Sequence, residues 1–328
     1  VSTTFKVVAT DRIAREGLAP LQEDERFWVV RIEDSTDPGF GAELETAAGL
    51  IVRSATTVDA AMLKRAPDLK VVGRAGVGVD NIDVDAASER GVAVMNAPAG
   101  NTIAAAELTM ALLLAAVRRV AEADRSIREG KWERSRFQGV ELRGRTLGVI
   151  GAGRIGSAVA ERCRAFGMKV IVHDPYLPPE RLDNLRVPVV DLGELLEAAD
   201  VITLHVPLTD ETRGLIGEPA FARMKRGAFL VNVSRGGVID EVALARALHE
   251  GRIGGAGLDV YEAEPLAGDS PLLTAPNLVL TPHLGASTTE AQVQVALEVA
   301  TSLRAALAYG DLSSAINAAE IARAAGLS

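Results

Sequence analysis

Twice along this chain, short β-branched runs alternate with helical stretches, and that rhythm limits the possible folds more than any other feature. In the first third, FKVVAT (5–10), FWVVRI (27–32), GLIV (49–52), KVVG (70–73) and VAVMN (92–96) read as strands. Ala14 to Glu23 and Thr57 to Arg65 read as helices between them. A second series runs TLGVI (146–150), MKVIV (168–172), VITLHV (201–206), AFLVNV (228–233), GAGLDV (255–260) and LVLTPH (278–283). Helices are expected within it at 155–166, 191–199 and 240–249. Such alternation implies βαβ units and parallel sheets with helices on both faces. The expected fold class is therefore α/β, with two doubly wound parallel-sheet domains. One long helix is expected from Ile103 to about Arg128, a loop over 130–145, and a final amphipathic helix from Thr288 to Ala308.

At 328 residues the chain has the length of two domains. Aromatics make up only 4%, so Ala, Val, Leu and Ile must build the core. The net charge of -9 argues against a nucleic-acid partner, which would need a basic patch. An anionic substrate would need a local cluster of arginines on such an acidic protein. The single cysteine, Cys163, excludes an intrachain disulfide and a cysteine-based metal site, and its helical context reads as a buried thiol. The longest apolar segment, Ala104 to Val117, is too short to span a bilayer. No export signal opens the chain, so no membrane partner and a cytoplasmic location are expected.

Gly151-Ala152-Gly153-Arg154-Ile155-Gly156 has the G-x-G-x-x-G spacing, weak by itself. Here it follows a strand, opens a helix, and has Asp174 at the end of the next strand, which makes it a dinucleotide fingerprint. Gly151 permits the tight turn, Gly153 lets the backbone approach a pyrophosphate, and Gly156 lets helix and strand pack closely. The helix N-terminus supplies unpaired N–H groups to the phosphates. Asp174 should accept ribose hydroxyls and repel a 2′-phosphate, which favours NAD over NADP. A plain strand–helix turn followed by a solvated Asp is the bland alternative.

Three further residues fall where open α/β sheets bind ligands, at the carboxyl ends of strands: Arg235, Glu264 and His283. Singly, they read as a surface Arg, a loop carboxylate and a buried or capping imidazole. Together they form the set that oxidation of a hydroxy acid needs. A guanidinium binds a carboxylate bidentately. An imidazole removes the hydroxyl proton, and a carboxylate beside it fixes its tautomer. Of the other histidines, His249 reads as solvent-facing, His173 as a strand-end residue, and His205 as part of the cofactor site's lining.

These residues sit in segments that resemble the D-isomer-specific 2-hydroxyacid dehydrogenase family along essentially the whole chain. The segments are VRSAT (52–56), GRAGVGVDNID (73–83), GNTIAAAEL (100–108), GKWERSRFQGVEL (130–142), GAGRIG (151–156), NVSRGGVIDE (232–241), AGLDVYEAEP (256–265) and TPHLGAST (281–288). VRSAT, RAGVGVDN and GKWER are similar to the family's phosphoglycerate branch. The resemblance implies a Rossmann NAD domain at 98–284, carrying a dimerisation helix and arm at 101–142. It also implies a flavodoxin-like, discontinuous substrate domain at 1–97, completed by 285–328.

By resemblance, Arg235, Glu264 and His283 are catalytic. Cofactor contacts are implied at Arg154, Ile155, Asp174, Val206, Pro207, Val233, Ser234, Asp259 and Gly285, beside the three glycines. Substrate contacts are implied at Arg53, Ser54, Arg74, Gly76, Val77 and Asn101, with Arg134 reaching across from a second subunit of a homodimer or homotetramer. Arg53 and Arg74 would hold a phosphate; the bland alternative is structural salt bridges. Val77 stands where some relatives carry a Thr, so that hydroxyl contact is lost.

The implied reaction is NAD-dependent oxidation of 3-phospho-D-glycerate to 3-phosphohydroxypyruvate, the first step of phosphorylated serine biosynthesis. Rival readings are a glyoxylate/hydroxypyruvate reductase, a D-lactate dehydrogenase, or an NADH-sensing binding protein of the corepressor kind. The chain ends shortly after the family's catalytic portion, so serine feedback through an attached domain is not expected.

Overall fold

The computed structural model describes residues 4–178 and 187–324. The chain divides into two compact units, one of Val1–Asn101 with Ala286–Ser328, the other of Thr102–Gly285.

In the first unit, β1 (Phe5–Ala9), β2 (Phe27–Arg31), β3 (Gly49–Val52), β4 (Val71–Arg74) and β5 (Ala93–Asn96) form one parallel sheet in the order β2-β1-β3-β4-β5. Strand residues alternate between its two faces, as the pleat requires. Val7, Ile51, Val71 and Met95 pack with Val295, Val299 and Leu303 of the helix Thr289–Tyr309. Val8, Leu50, Val72 and Val94 pack with Phe40, Leu44 and Leu63 on the other face. Burial on both faces explains why these strands read as continuous apolar runs. Past that helix, buried Asn317 pins the chain to the sheet. Its Oδ1 accepts from Val94 N (2.8 Å), and its Nδ2 donates to Val92 O (3.0 Å) and Ser88 Oγ (2.9 Å).

In the second unit, β6 (Thr146–Ile150), β7 (Lys169–His173), β8 (Val201–Leu204), β9 (Phe229–Asn232), β10 (Gly255–Leu258) and β11 (Leu278–Leu280) form a parallel sheet in the order β11-β10-β9-β8-β6-β7. From β7 the chain crosses over β6 to reach β8. The strand order therefore reverses beside the carboxyl end of β6, where such sheets open a ligand crevice. Two apolar layers cover the sheet, one around Leu195, Ile202, Leu230 and Leu244, the other around Leu112, Leu147, Val149 and Val231.

The expected single helix from Ile103 to Arg128 is instead two, Thr102–Arg118 and Val120–Arg128. Arg119 between them is left-handed (φ 54°), which is uncommon outside glycine. Its side chain holds the break in place. Nε donates to Glu122 (2.6 Å), Nη1 donates to the Arg136 carbonyl (2.7 Å), and the guanidinium lies over the Phe137 ring. The strands expected at 201–206, 255–260 and 278–283 end earlier, at Leu204, Leu258 and Leu280. Their last residues leave the ladder to form loops. The first expected helix, Ala14 to Glu23, is a 3-10 turn at Glu16–Leu18 followed by one short helix, Ala19–Gln22.

No helix among the described residues is long and apolar enough to cross a membrane. Asn317→Ala strips buried partners from β5, and it should cost about 2 kcal/mol of stability. A lowered urea midpoint for the first unit checks this, and an unchanged midpoint would contradict it.

Candidate active site

At the end of β6 the chain turns through Gly151, which is left-handed (φ 86°), and enters the helix Arg154–Ala165. A side chain at Gly151 would stand 2.5 Å from the His205 carbonyl oxygen, and one at Gly156 would run into the Gly151 carbonyl. Among the described residues, nothing lies within 4 Å of where a Cβ at Gly153 would be. The turn is thus closed toward the protein at two glycines and open at the third, which is what a close-approaching diphosphate needs. The carboxylate of Asp174 is held against this turn. Its Oδ2 accepts from Ala152 N (2.8 Å) and its Oδ1 from Tyr176 N (3.1 Å), leaving further lone pairs for a ligand.

A cleft of about 830 Å³ opens here, lined among others by Gly151, Gly153, Asp174, His205, Val206 and Pro207. Tyr176 and Glu211 also line it and are hydrogen-bonded to each other. Of the other positions expected to meet cofactor, Arg154 is exposed and Ile155 packs against the apolar layer. Val233 is buried, and the Ser234 hydroxyl donates to Asn232 Oδ1 (2.7 Å). Burial pushes the pKa of His205 down to about 3, so its ring is neutral. His173 sets Nδ1 3.0 Å from the Val190 carbonyl, and His249 is exposed.

The second cluster lies at the carboxyl ends of β9, β10 and β11. His283 Nδ1 and Glu264 Oε2 are 2.7 Å apart, both partly exposed. Arg235, half-buried, donates from Nη1 to the Ser234 carbonyl (2.7 Å). Residues that sequence reasoning passed over brace these loops. Asn232 ends β9; its Oδ1 accepts from Ser234 N (2.9 Å) and its Nδ2 donates to the Arg235 carbonyl (2.8 Å). The Tyr261 hydroxyl donates to the Thr281 carbonyl (2.8 Å), and Tyr261 N donates to Glu264 Oε1 (3.1 Å). Glu241 Oε1 accepts from Glu262 N (2.6 Å). A polar Asn or Tyr at the rim of an apolar strand was the available signal.

Asp259, expected to touch cofactor, is fully buried. It accepts from Thr281 Oγ1 (2.6 Å), Leu284 N (2.7 Å) and Gly285 N (2.8 Å). Burial raises its pKa, and these hydrogen bonds oppose the rise. His283 itself is left-handed (φ 54°), with its N–H donating to the Asp259 carbonyl (2.9 Å).

The remaining expected positions belong to the first unit, apart from Arg134. Arg53 and Arg74 stand at neighbouring strand ends, because Val52 pairs with Arg74 across β3 and β4. The Arg53 backbone is fixed by Asp11 Oδ2 (2.8 Å from Arg53 N) and by Asn81 Nδ2, which donates to its carbonyl (2.7 Å). Burial lowers the Arg53 pKa, while nearby Asp11 counteracts it. Gly76 is buried beside the Arg74 guanidinium, where a side chain would collide with it. The Val77 carbonyl accepts from Asn96 Nδ2 (2.5 Å), Ser54 is exposed, and Asn101 Oδ1 is buried with no hydrogen-bond partner among the described residues. Arg134, in the second unit, is exposed on the turn Arg134–Phe137.

Among the described residues no three His, Cys, Asp or Glu gather as metal ligands. Cys163 is buried, 3.4 Å from Met110 Sδ, and burial pushes its thiol up to about 12.

Residues 110–285 match the NAD binding domain of the D-isomer specific 2-hydroxyacid dehydrogenases. The chain is 52% identical over 261 residues to D-3-phosphoglycerate dehydrogenase of Archaeoglobus fulgidus, covering 80% of this chain and 50% of that protein. It is 49% identical over 311 residues to D-3-phosphoglycerate dehydrogenase of Mycobacterium leprae, covering 95% and 58%. It also superposes on the crystal structure of a protein from Thermus thermophilus with a TM-score of 0.85 and 39% identity, covering 95% of this chain and all of that one. The chain spans about half the length of the curated relatives it matches.

The Cys163 thiol should not react with a disulfide reagent at pH 8 in the folded protein and should react once urea unfolds it. Rapid labelling of the folded protein would contradict its burial.

Proposed function

The chain belongs to the D-isomer-specific 2-hydroxyacid dehydrogenases, and from that premise we propose that it oxidises 3-phospho-D-glycerate to 3-phosphohydroxypyruvate with NAD. This would be the first step of the phosphorylated route to serine. The observation that carries the chemistry is the 2.7 Å contact between His283 and Glu264 at a strand end.

The glycine turn, the open face of Gly153 and the Asp174 carboxylate suit a dinucleotide whose ribose hydroxyls are free. When bound, NAD supplies the ring carbon that accepts a hydride from the substrate. Glu264 engages Nδ1 of His283, so Nε2 is the nitrogen left to take the hydroxyl proton. The carboxylate then stabilises the imidazolium that forms. Arg235 binds the substrate carboxylate and polarises the oxygen that becomes a carbonyl. Asp259 and Tyr261 keep the His283 loop in position through the bonds described above.

Arg53 and Arg74, at neighbouring strand ends, would bind the phosphate, with Arg134 of a second copy as a third cation. A glyoxylate, hydroxypyruvate or D-lactate enzyme could use the same Glu264–His283 pair, but it would give those arginines no phosphate to bind. A homodimer or homotetramer is supported by Trp132, 80% exposed on the arm, together with exposed Val120 and Ile127. The substrate is small and anionic, and we place the enzyme in the cytoplasm.

His283→Ala should lower kcat by about 10²–10⁴ while NADH binds as in the wild type. Near-native turnover in that variant, measured by NADH absorbance, would reject the assignment. Arg53→Ala should raise KM for the phosphorylated substrate about tenfold and leave a small unphosphorylated hydroxy acid unaffected. An equal loss for both substrates would remove the phosphate role.

A further inference from the structure

The chain has three tyrosines, and their phenols sit in three different electrostatic settings. Tyr261 is buried, and burial pushes its phenol up to about 12. Tyr176, 74% exposed, donates to the Glu211 carboxylate, which keeps the proton on the phenol and raises its pKa. Tyr309, 65% exposed, meets cations instead.

Tyr309 ends the helix Thr289–Tyr309, and Gly310 turns the chain away in a left-handed conformation (φ 70°). Arg26, just before β2, donates from Nη2 to the Tyr309 hydroxyl oxygen (2.9 Å), and its guanidinium carbon lies 4.8 Å from the ring centroid. Asp24 orients that guanidinium, accepting from Nε (2.9 Å) and Nη2 (2.6 Å). Arg304, on the same helix as the tyrosine, donates from Nε to Asp24 Oδ2 (3.0 Å) and also acts on the phenol oxygen. Two guanidinia against one carboxylate leave one positive charge, which a phenolate at Tyr309 would balance. Asp311, the acid two residues further on, is turned to Ser313 N (2.9 Å). The carbonyls at a helix C-terminus disfavour an anion there, and the two arginines act against them. The Tyr309 pKa is lowered, first by the Arg26 hydrogen bond and then by that of Arg304.

We propose that Tyr309 is the reactive phenol of this chain, a covalent modification site for activated acyl or sulfonyl electrophiles. The phenol gives its proton to solvent, and the phenolate oxygen, held by Arg26, attacks the electrophilic carbon or sulfur. A C–O or S–O bond forms while the bond to the leaving group breaks, and the leaving group departs as an anion with its electron pair. Nothing is oxidised or reduced. A phenol that ionises more readily presents more of its nucleophilic form near neutral pH. No residue of the oxidation proposed above takes part.

Labelling of the folded protein with an arylsulfonyl fluoride at pH 8, followed peptide by peptide with mass spectrometry, tests this. Exposure alone would put Tyr176 ahead, whereas the arginines put Tyr309 ahead by at least about threefold, a modest factor because these pairs are partly exposed. Tyr261 should stay unlabelled. In urea the lead of Tyr309 should vanish. Arg26→Gln should slow labelling of Tyr309 about threefold at an unchanged melting temperature, and Arg304→Gln should act in the same direction. Glu211→Gln should speed labelling of Tyr176 and leave Tyr309 as it was. Should the arginine variants not fold, the order of labelling in the wild type and its loss in urea decide the matter. Tyr176 labelled as fast as Tyr309 in the folded protein would overturn the proposal. So would a lead that persists in urea, or a folded Arg26→Gln variant labelled at the wild-type rate.

Discussion

The buried carboxylate of Asp259 organises the reactive edge of the second unit. Placed just past β10, it accepts from a hydroxyl and two backbone amides of the segment 281–285. Three donors around one desolvated carboxylate oppose the cost of burying it. They also leave the His283 loop few other ways to sit. The Asp259 carbonyl takes the His283 amide, and the residue is held in a left-handed conformation, uncommon outside glycine though less so for histidine. With the loop fixed, the imidazole meets Glu264, whose other oxygen is anchored by the Tyr261 amide. An imidazole acting as the proposed base needs such a rigid surround, since small displacements cost rate.

The same unit prepares the cofactor side by exclusion. Side chains are missing at Gly151 and Gly156, where backbone must touch backbone, and at Gly153, where a ligand must come close. The crossover between β7 and β8 places Asp174 on one side of this turn and His205 on the other. Across the molecule a net charge of -9 would repel an anionic substrate. The cations proposed to hold its phosphate are therefore local, Arg53 and Arg74 standing on adjacent strands of the first sheet. Of these, Arg53 is partly desolvated, which strengthens its pairing with an anion.

Much of this was legible in the amino-acid sequence, for identifiable reasons. Parallel strands buried on both faces must be apolar throughout, so TLGVI could be read residue for residue as β6. The α/β class followed from the alternation of such runs with helices. Strand ends were overrun at 201–206, 255–260 and 278–283, because the residues that leave the ladder there look as extended as those within it. Those departures are where the loops of the site begin. The break at Arg119 has no Gly or Pro to announce it and depends on Glu122, Arg136 and Phe137. Glu264 and His283 could be singled out by residue type at strand ends. The bracing by Asp259, Tyr261 and Asn232 could not, because it depends on how neighbouring strand ends and their loops line up. The placement of Arg53 beside Arg74 is likewise a matter of register between β3 and β4.

Initial rates of NADH formation with 3-phospho-D-glycerate, D-glycerate, D-lactate and glycolate, measured side by side, test the central claim most directly. The account predicts a kcat/KM for 3-phospho-D-glycerate at least about tenfold above each of the others, because only that substrate engages the paired arginines. Equal or better turnover of an unphosphorylated hydroxy acid would contradict it.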